Sequence, residues 1–463
     1  MSPLHFKNTL RGSVVLPASK SISARVLFIN ALSDTPCPLK NLAQCDDTAA
    51  MLRAAENNTL LPDEATRPVP SCKGSERTAN SMADLFATTE DTTSSTPSAP
   101  HARAATASSS EQHINIGAAG TAMRFATALL ATRQGRQYIL SGTERMHQRP
   151  IGPLVDALNS LGADIQYVNQ AGFPPLKITG RVLTGTTVEI SAEVSSQYIS
   201  ALLMLGPVLP HGLQIRLRGD IISRPYIDLT LSVMSAFGAK GMWIGENTIF
   251  VQPGGYRRTT PLYVETDWSA ASYWYELVAL SPDKDAAIQL SGLRTDSIQG
   301  DSRVADFFEP LGVKTTFSNE SVWLTKQPAQ PDYFCRLDLA EQPDLAQTLV
   351  VTCAMLGVPF HFTGLQSLRI KETDRINALE CELAKFGIKM QARLAGELLW
   401  DAPGTRPVQT KDSIAIDTYN DHRMAMAFAP CAMKHPGLII NNPEVVSKSY
   451  PLFWEHLKPF LSL

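Results

Sequence analysis

Four stretches of this 463-residue chain end in the same way. PLVDALNSLGAD, LTLSVMSAFGAK, VADFFEPLGVK and INALECELAKFGIK each run as an apolar helix-period segment closed by Leu or Phe. Each then has Gly, a small or branched apolar residue, and Asp or Lys. A glycine in that place is expected just past a helix, where the backbone turns left-handed and a side chain is strained. The glycines are Gly162, Gly238, Gly312 and Gly387, at intervals of 76, 74 and 75 residues. So regular a period predicts a series of equivalent units. One further interval reaches the amphipathic stretch YPLFWEHLKPFLSL, and DDTAAMLRAAENN upstream reads as a helix ending near residue 57, which makes six units.

The distance from that first helix to Gly162 is 105 residues, well above the period. The surplus falls in residues 65–112, including TTEDTTSSTPSAPHARAATASSSE, which is rich in Ser, Thr, Ala and Pro and poor in large apolar residues. Such a segment cannot repay the entropy of ordering, so a weakly packed surface insertion is expected there. Between the helices lie short β-like runs: GTTVEIS, LQIRLRG, TIFVQPG, PLYVE, AAIQLSG, VWLTK, SIAIDT and GLIIN. Each unit therefore mixes strands with helices, in an α/β or α+β class, and six units grouped three and three make two pseudo-symmetric domains. A chain of this length with 44% hydrophobic residues can bury two such cores.

Charge narrows the function. With 41 Lys+Arg against 44 Asp+Glu there is no global positive field to hold nucleic acid or an anionic membrane. The seven cysteines form no C-x-x-C pair and the nine histidines show no ligand spacing, so no metal site is expected. The N-terminal stretch has no apolar leader and no span of about 18 apolar residues occurs, so the protein is expected to be cytoplasmic.

Local charge is more informative. HQRPIG, SRPYID, GDSRVA, KETDRI and YNDHRM each place Arg at or near a helix start. A helix start carries unpaired N–H groups and about half a positive charge, so an added cation makes an anion site. Five in related positions predict convergence on one pocket. LPASKSISAR adds Lys20, Ser21 and Arg25, and GAAGTAMR adds a small-residue turn with free amides. A nucleotide P-loop is excluded because it needs glycines at positions 14 and 19, where Val14 and Ser19 stand, and no G-x-G-x-x-G follows a strand.

In order along the chain, LPASKSISAR, GAAGTAMR, RPIGPLVDAL, SSQYISALLM, SRPYIDLTL, DWSAASYW, QGDSR, QPDLAQT, RIKETDR, NDHRMAM and SKSYP resemble the motifs of the 5-enolpyruvylshikimate-3-phosphate synthase family. The resemblance covers nearly all of the chain outside the insertion. It implies a transferase moving the enolpyruvyl group of phosphoenolpyruvate to the 5-hydroxyl of shikimate 3-phosphate, without a cofactor. It also implies an enolpyruvyl transferase fold of two domains, each of three βαβαββ units, with helix N-termini facing the cleft. The expected division is 19–264 for one domain and 1–18 with 265–463 for the other, in a monomer.

By motif position the resemblance assigns Lys20, Gly120, Arg149, Gln197, Arg375, Arg423 and Lys448 to phosphoenolpyruvate. It assigns Ser21, Arg25, Ser195, Ser196, Ser223, Tyr226, Asp344 and Lys371 to shikimate 3-phosphate. Asp344 is the expected base for the hydroxyl, and Glu372 the expected acid for the methylene carbon, with Lys20 assisting. Asp344 as a helix cap is the alternative; His422 is read as a relay or a cap, Asp374 as an arginine partner, and Arg124 and Asp267 as ion-pair members. The chain departs from the usual family pattern at Ala18, Ala24, Ala118, Phe125 and Ser367. Competing readings are a non-catalytic binding paralogue and UDP-N-acetylglucosamine 1-carboxyvinyltransferase, whose usual cysteine has no counterpart in 125–149.

Overall fold

The computed structural model describes residues 2–56, 111–193, 195–319, 321–393, 396–401 and 413–462. Thirteen helices occur among them. Seven lie in the first half: α1 (Lys20–Leu32), α2 (Asp46–Glu56), α3 (Gly120–Ala131), α4 (Glu144–His147), α5 (Gly152–Ser160), α6 (Ser196–Leu205) and α7 (Arg224–Ala236). Six follow: α8 (Trp268–Leu280), α9 (Val304–Phe308), α10 (Ala346–Leu356), α11 (Arg375–Ala384), α12 (His422–Phe428) and α13 (Phe453–Leu457). The four repeat glycines follow the ends of α5, α7, α9 and α11 within a few residues, all at positive φ: 103°, 83°, 93° and 77°. The period seen in the sequence is thus the spacing of equivalent helix ends.

Four sheets share one topology. Gln112–Asn115 lies parallel to Gln137–Ser141, which is antiparallel to Leu176–Thr179, itself antiparallel to Asp164–Tyr167. The same order recurs in the sheets centred on Leu213–Arg218, Ala287–Ser291 and Phe360–Thr363. A parallel pair needs a crossover, and a helix supplies it: α3, α6 and α10 each bridge one, while in the fourth pair the whole first lobe intervenes before α8 leads into Ala287–Ser291. Strand residues alternate, as in Leu176–Thr179 and Ala287–Ser291, with every second side chain under the helices. In the other two units the described residues give only a parallel pair, Leu39–Lys40 with Leu262–Tyr263 and Ala415–Ile416 with Ile439–Ile440. The expected insertion lies outside the described residues except for its last two positions; Gln112 there begins a strand.

Apolar side chains collect in two separate cores. One contains residues from Ala18 to Val264; the other joins Leu4–Leu16 to residues from Trp268 to Phe460. The chain crosses between these lobes twice, and the crossings run side by side. The Ser19 amide donates to the Glu265 carbonyl at 2.8 Å and the Asp267 amide to the Pro17 carbonyl at 2.9 Å. Ser19 caps α1 and Asp267 caps α8, so each strap leads straight into a helix that starts at the cleft. A cap of this kind is worth about 1 kcal/mol.

Candidate active site

Helix starts from both lobes meet around a cleft of about 990 Å³, counting space open to solvent. Lys20, Ser21, Arg25, Gly120, Arg149, Ser195, Ser196, Gln197, Ser223, Tyr226, Asp344, Lys371, Glu372, Arg375 and Arg423 all line it. Lys448 stands just behind, with Nζ 2.8 Å from Glu372 Oε1 and 2.7 Å from the Ala118 carbonyl. Seven cationic side chains face the cavity against three carboxylates, Asp47, Asp344 and Glu372. A buried surplus of that sign is costly without anions to fill it.

Arg375 organises the centre. As first residue of α11, capped by Asp374, it is 1% exposed. Its Nε lies 2.7 Å from Asp421, one terminal nitrogen 3.3 Å from Asp344 Oδ1 and the other 3.0 Å from Glu372 Oε2. Asp421 also caps α12, donating its geometry to Arg423 by accepting that residue's amide at 2.9 Å. Arg423 reaches Asp344 at 2.9 Å, and Lys371 approaches the same carboxylate at 3.8 Å. Asp344 sits in a 3-10 turn before α10 and caps nothing. Burial favours its protonated form, but Arg423, Lys371 and Arg375 outweigh burial and hold the carboxyl far below its ordinary value.

Glu372 is gripped likewise, by Lys448, Arg149 at 3.6 Å and Arg375. Burial opposes them, yet these cations keep its carboxyl well below the usual range. Lys20 pairs with Asp47 at 3.0 Å; burial alone would lower its ammonium, but Asp47 keeps it above the ordinary value. Among the described residues the His422 ring nitrogens have no hydrogen-bond partner, Nδ1 lying 3.6 Å from Asp421 Oδ1, and burial, Lys20 and Arg423 hold the ring neutral. Since Asp421 caps α12, the cap reading of His422 is set aside.

The opposite wall differs. Arg25 bonds to Thr230 at 2.7 Å, Ser200 at 3.0 Å and the Ser21 and Tyr226 carbonyls at 2.8 and 3.3 Å, with no carboxylate partner among the described residues. Burial lowers its pKa to about 10. Ser195 caps α6 beside Ser196 and Gln197, and Gln197 donates to Thr121 at 3.0 Å. Gly120 lets Arg149 pack close: a Cβ there would lie 2.7 Å from both terminal nitrogens of Arg149, so the guanidinium would have to shift. Phe125 is fully buried, edge-on to Phe28 at 5.8 Å and 5.5 Å from the Arg25 guanidinium, so it packs behind the cleft.

Three expectations need correction. Of the five helix-start arginines only Arg149, Arg375 and Arg423 reach the cleft. Arg224 instead covers the Trp243 ring at 4.4 Å and Arg303 the Phe307 ring at 5.1 Å, because each leaves its helix on the solvent side where an aromatic face and an Asp await it. Among the described residues neither Arg124 nor Asp267 makes an ion pair: Arg124 donates to the Gly120 and Pro150 carbonyls, and Asp267 accepts amides of Ala270 and Lys20. Asp374 does pair with an arginine, Arg369, at 3.1 Å. Sequence reasoning missed Asp47, Thr121 and Asp301. Asp47 was visible only as a helix start, and GDSR pointed to its arginine although Asp301 is the residue turned inward, 3% exposed and bonded by Ser269.

The model of the family described as EPSP synthase (3-phosphoshikimate 1-carboxyvinyltransferase) matches residues 5–60 and 58–457. A 3-phosphoshikimate 1-carboxyvinyltransferase of Bacteroides fragilis (strain YCH46) is 47% identical over 450 residues, covering 97% of this chain and 95% of the relative. One from Sulfurovum sp. (strain NBC37-1) is 35% identical, covering 98% and 97%. Among solved structures, an EPSP synthase from Acinetobacter baumannii superposes with TM-score 0.68 at 19% identity, covering 99% of this chain and 98% of that one. The enolpyruvyl transferase NikO from Streptomyces tendae gives 0.67 at 14%, covering 99% and 97%. The two structures bear on the fold alone.

Proposed function

The chain belongs to the EPSP synthase family and transfers the enolpyruvyl group of phosphoenolpyruvate to shikimate 3-phosphate; we propose how its cleft does so. The observation that carries the proposal is that Arg375 holds both candidate proton-transfer carboxylates, Asp344 and Glu372, at 3.3 and 3.0 Å inside one cation-lined cavity. The acceptor's 5-hydroxyl oxygen adds to C2 of phosphoenolpyruvate while its proton passes to Asp344, and Glu372 delivers a proton to C3. Phosphate then leaves with the C2–O electrons as C3 gives a proton back, restoring the double bond. Lys20 assists at the donor.

Phosphoenolpyruvate is held by Lys20, Gly120, Arg149, Gln197, Arg375, Arg423 and Lys448. Shikimate 3-phosphate is held by Ser21, Arg25, Ser195, Ser196, Ser223, Tyr226, Asp344 and Lys371. Asp344 starts ionised, as a base must. Glu372 starts ionised too, held there by Lys448, Arg149 and Arg375. When substrate anions take those cations, Glu372 loses its counterions and gains negative neighbours, and both changes raise its pKa. Binding itself thereby readies the acid, and closing the cleft removes the water that would screen the exchange.

The lobes act as domains, 19–264 and 1–18 with 265–463, hinged at the paired straps, in a cytoplasmic monomer. No described helix is long and apolar enough to cross a membrane. The test is phosphate release with each substrate alone and both together, beside Glu372→Gln. Release that needs both substrates and falls about a hundredfold or more in the variant is expected; a variant within a few-fold of wild type refutes the acid assignment.

A further inference from the structure

Arg145 lies outside every set of residues assigned above. It sits on α4, a single turn capped by Thr143 and anchored in the first lobe by Met146, which is 1% exposed. Its side chain reaches across to the second lobe. Nε donates to the Glu372 carbonyl and one terminal nitrogen to the Lys371 carbonyl, both at 3.1 Å. The guanidinium fork thus spans two successive carbonyls of the other lobe, a rigid two-point contact that a lysine cannot copy. Four residues on, Arg149 reaches the carboxylate of the same Glu372 at 3.6 Å. One short segment therefore holds Glu372 by backbone and by side chain.

The two holds respond differently to substrate. Arg149, Lys448 and Arg375 bind the Glu372 carboxylate through charge, and an incoming phosphate or carboxylate competes for all three. Arg145 binds carbonyl oxygens and is not among the residues that line the cavity. We propose that Arg145 is a positioning residue: it locks the 371–372 backbone when the lobes close and keeps Glu372 aimed while substrate strips the carboxylate of its cations. The inference rests on the reading of Glu372 as the acid. It also explains why a contact to main chain, carrying no substrate, is built across the cleft next to Lys371, a cation that burial and Arg375 hold below its ordinary value.

The experiment is a steady-state cycle of four enzymes: wild type, Arg145→Met, Glu372→Gln and the double variant, with Arg145→Lys as a second probe of the site. Arg145→Met is expected to lose at least about tenfold in kcat, in keeping with the cost of a small misplacement, with KM for either substrate changed less than about threefold. Arg145→Lys is expected to recover only part of the loss. In the Glu372→Gln background the Arg145 change is expected to cost less than twofold, since a residue acting through another adds nothing once that group is gone. A full tenfold loss in that background, a loss confined to KM, or an Arg145→Met and Arg145→Lys pair both within twofold of wild type overturns the clamp while leaving the acid assignment intact. Near wild-type turnover of Glu372→Gln overturns the acid assignment, and the clamp falls with it.

Discussion

The two walls of the cleft solve the same electrostatic problem in opposite ways. On the first lobe, Arg25 and Arg124 are buried cations held by hydroxyls and carbonyls, without a carboxylate among the described residues, and burial lowers both to about 10. On the second, Lys371, Arg375, Arg423 and Lys448 are all committed to Asp344, Glu372 or Asp421. Arg25 and Arg124 make a preset patch of the first wall whose cost is carried in the fold, while Lys20 and Arg149 beside them are paired with Asp47 and Glu372. The second wall is a paired network whose partners must be exchanged when ligand arrives. A preset site gives affinity; an exchanging one couples binding to protonation, which is where a proton-transfer reaction needs it.

The largest test of this contrast is Asp421→Asn. Asp421 is fully buried and holds Arg375 while capping α12, so the change leaves a buried guanidinium short of its partner. A loss of about 3–5 kcal/mol is expected in denaturant unfolding; a loss under about 1 kcal/mol would mean the network is not structurally committed. Next is Arg25→Met. Its hydroxyl neighbours Thr230 and Ser200 already bond each other at 2.8 Å, so stability should stay level or rise. The apparent KM for shikimate 3-phosphate should climb more than about tenfold, in line with a lost charge-assisted contact. Equal losses of stability in both variants would erase the difference between the walls.

The smallest effect belongs to Asp301, whose carboxyl is pushed up to about 7 by burial and by Asp344. A carboxyl that binds its proton more tightly folded than unfolded makes stability fall as pH rises from its ordinary value toward 7, after which the penalty is constant. Asp301→Asn should therefore gain in melting temperature relative to wild type at pH 8 and lose that advantage at pH 4. An identical offset at both pH values would show that Asp301 does not titrate there.

Much of this was open to sequence reading. Helix ends repeat every 75 residues or so because each unit needs the same left-handed turn, and only glycine adopts it without strain. Lys20, Arg149, Arg375 and Arg423 were legible because a cation at a helix start has a specific use. The same logic overreached at Arg224 and Arg303, where helix phase sends the side chain to solvent. It was silent on Arg145, whose carbonyl partners lie 226 and 227 residues away and carry no side-chain signature.

The sequence by itself determined the unit, its period, the caps and the charge types that gather at helix starts, since all of these are local backbone and propensity effects. Only the tertiary structure decided which cations are paired and which stand open, which way each helix start faces, and that Arg145 reaches across to Glu372. Those outcomes depend on distances of 3–4 Å between segments that only lobe packing brings together, and at that range charge and hydrogen-bond energies are settled by geometry rather than by residue type.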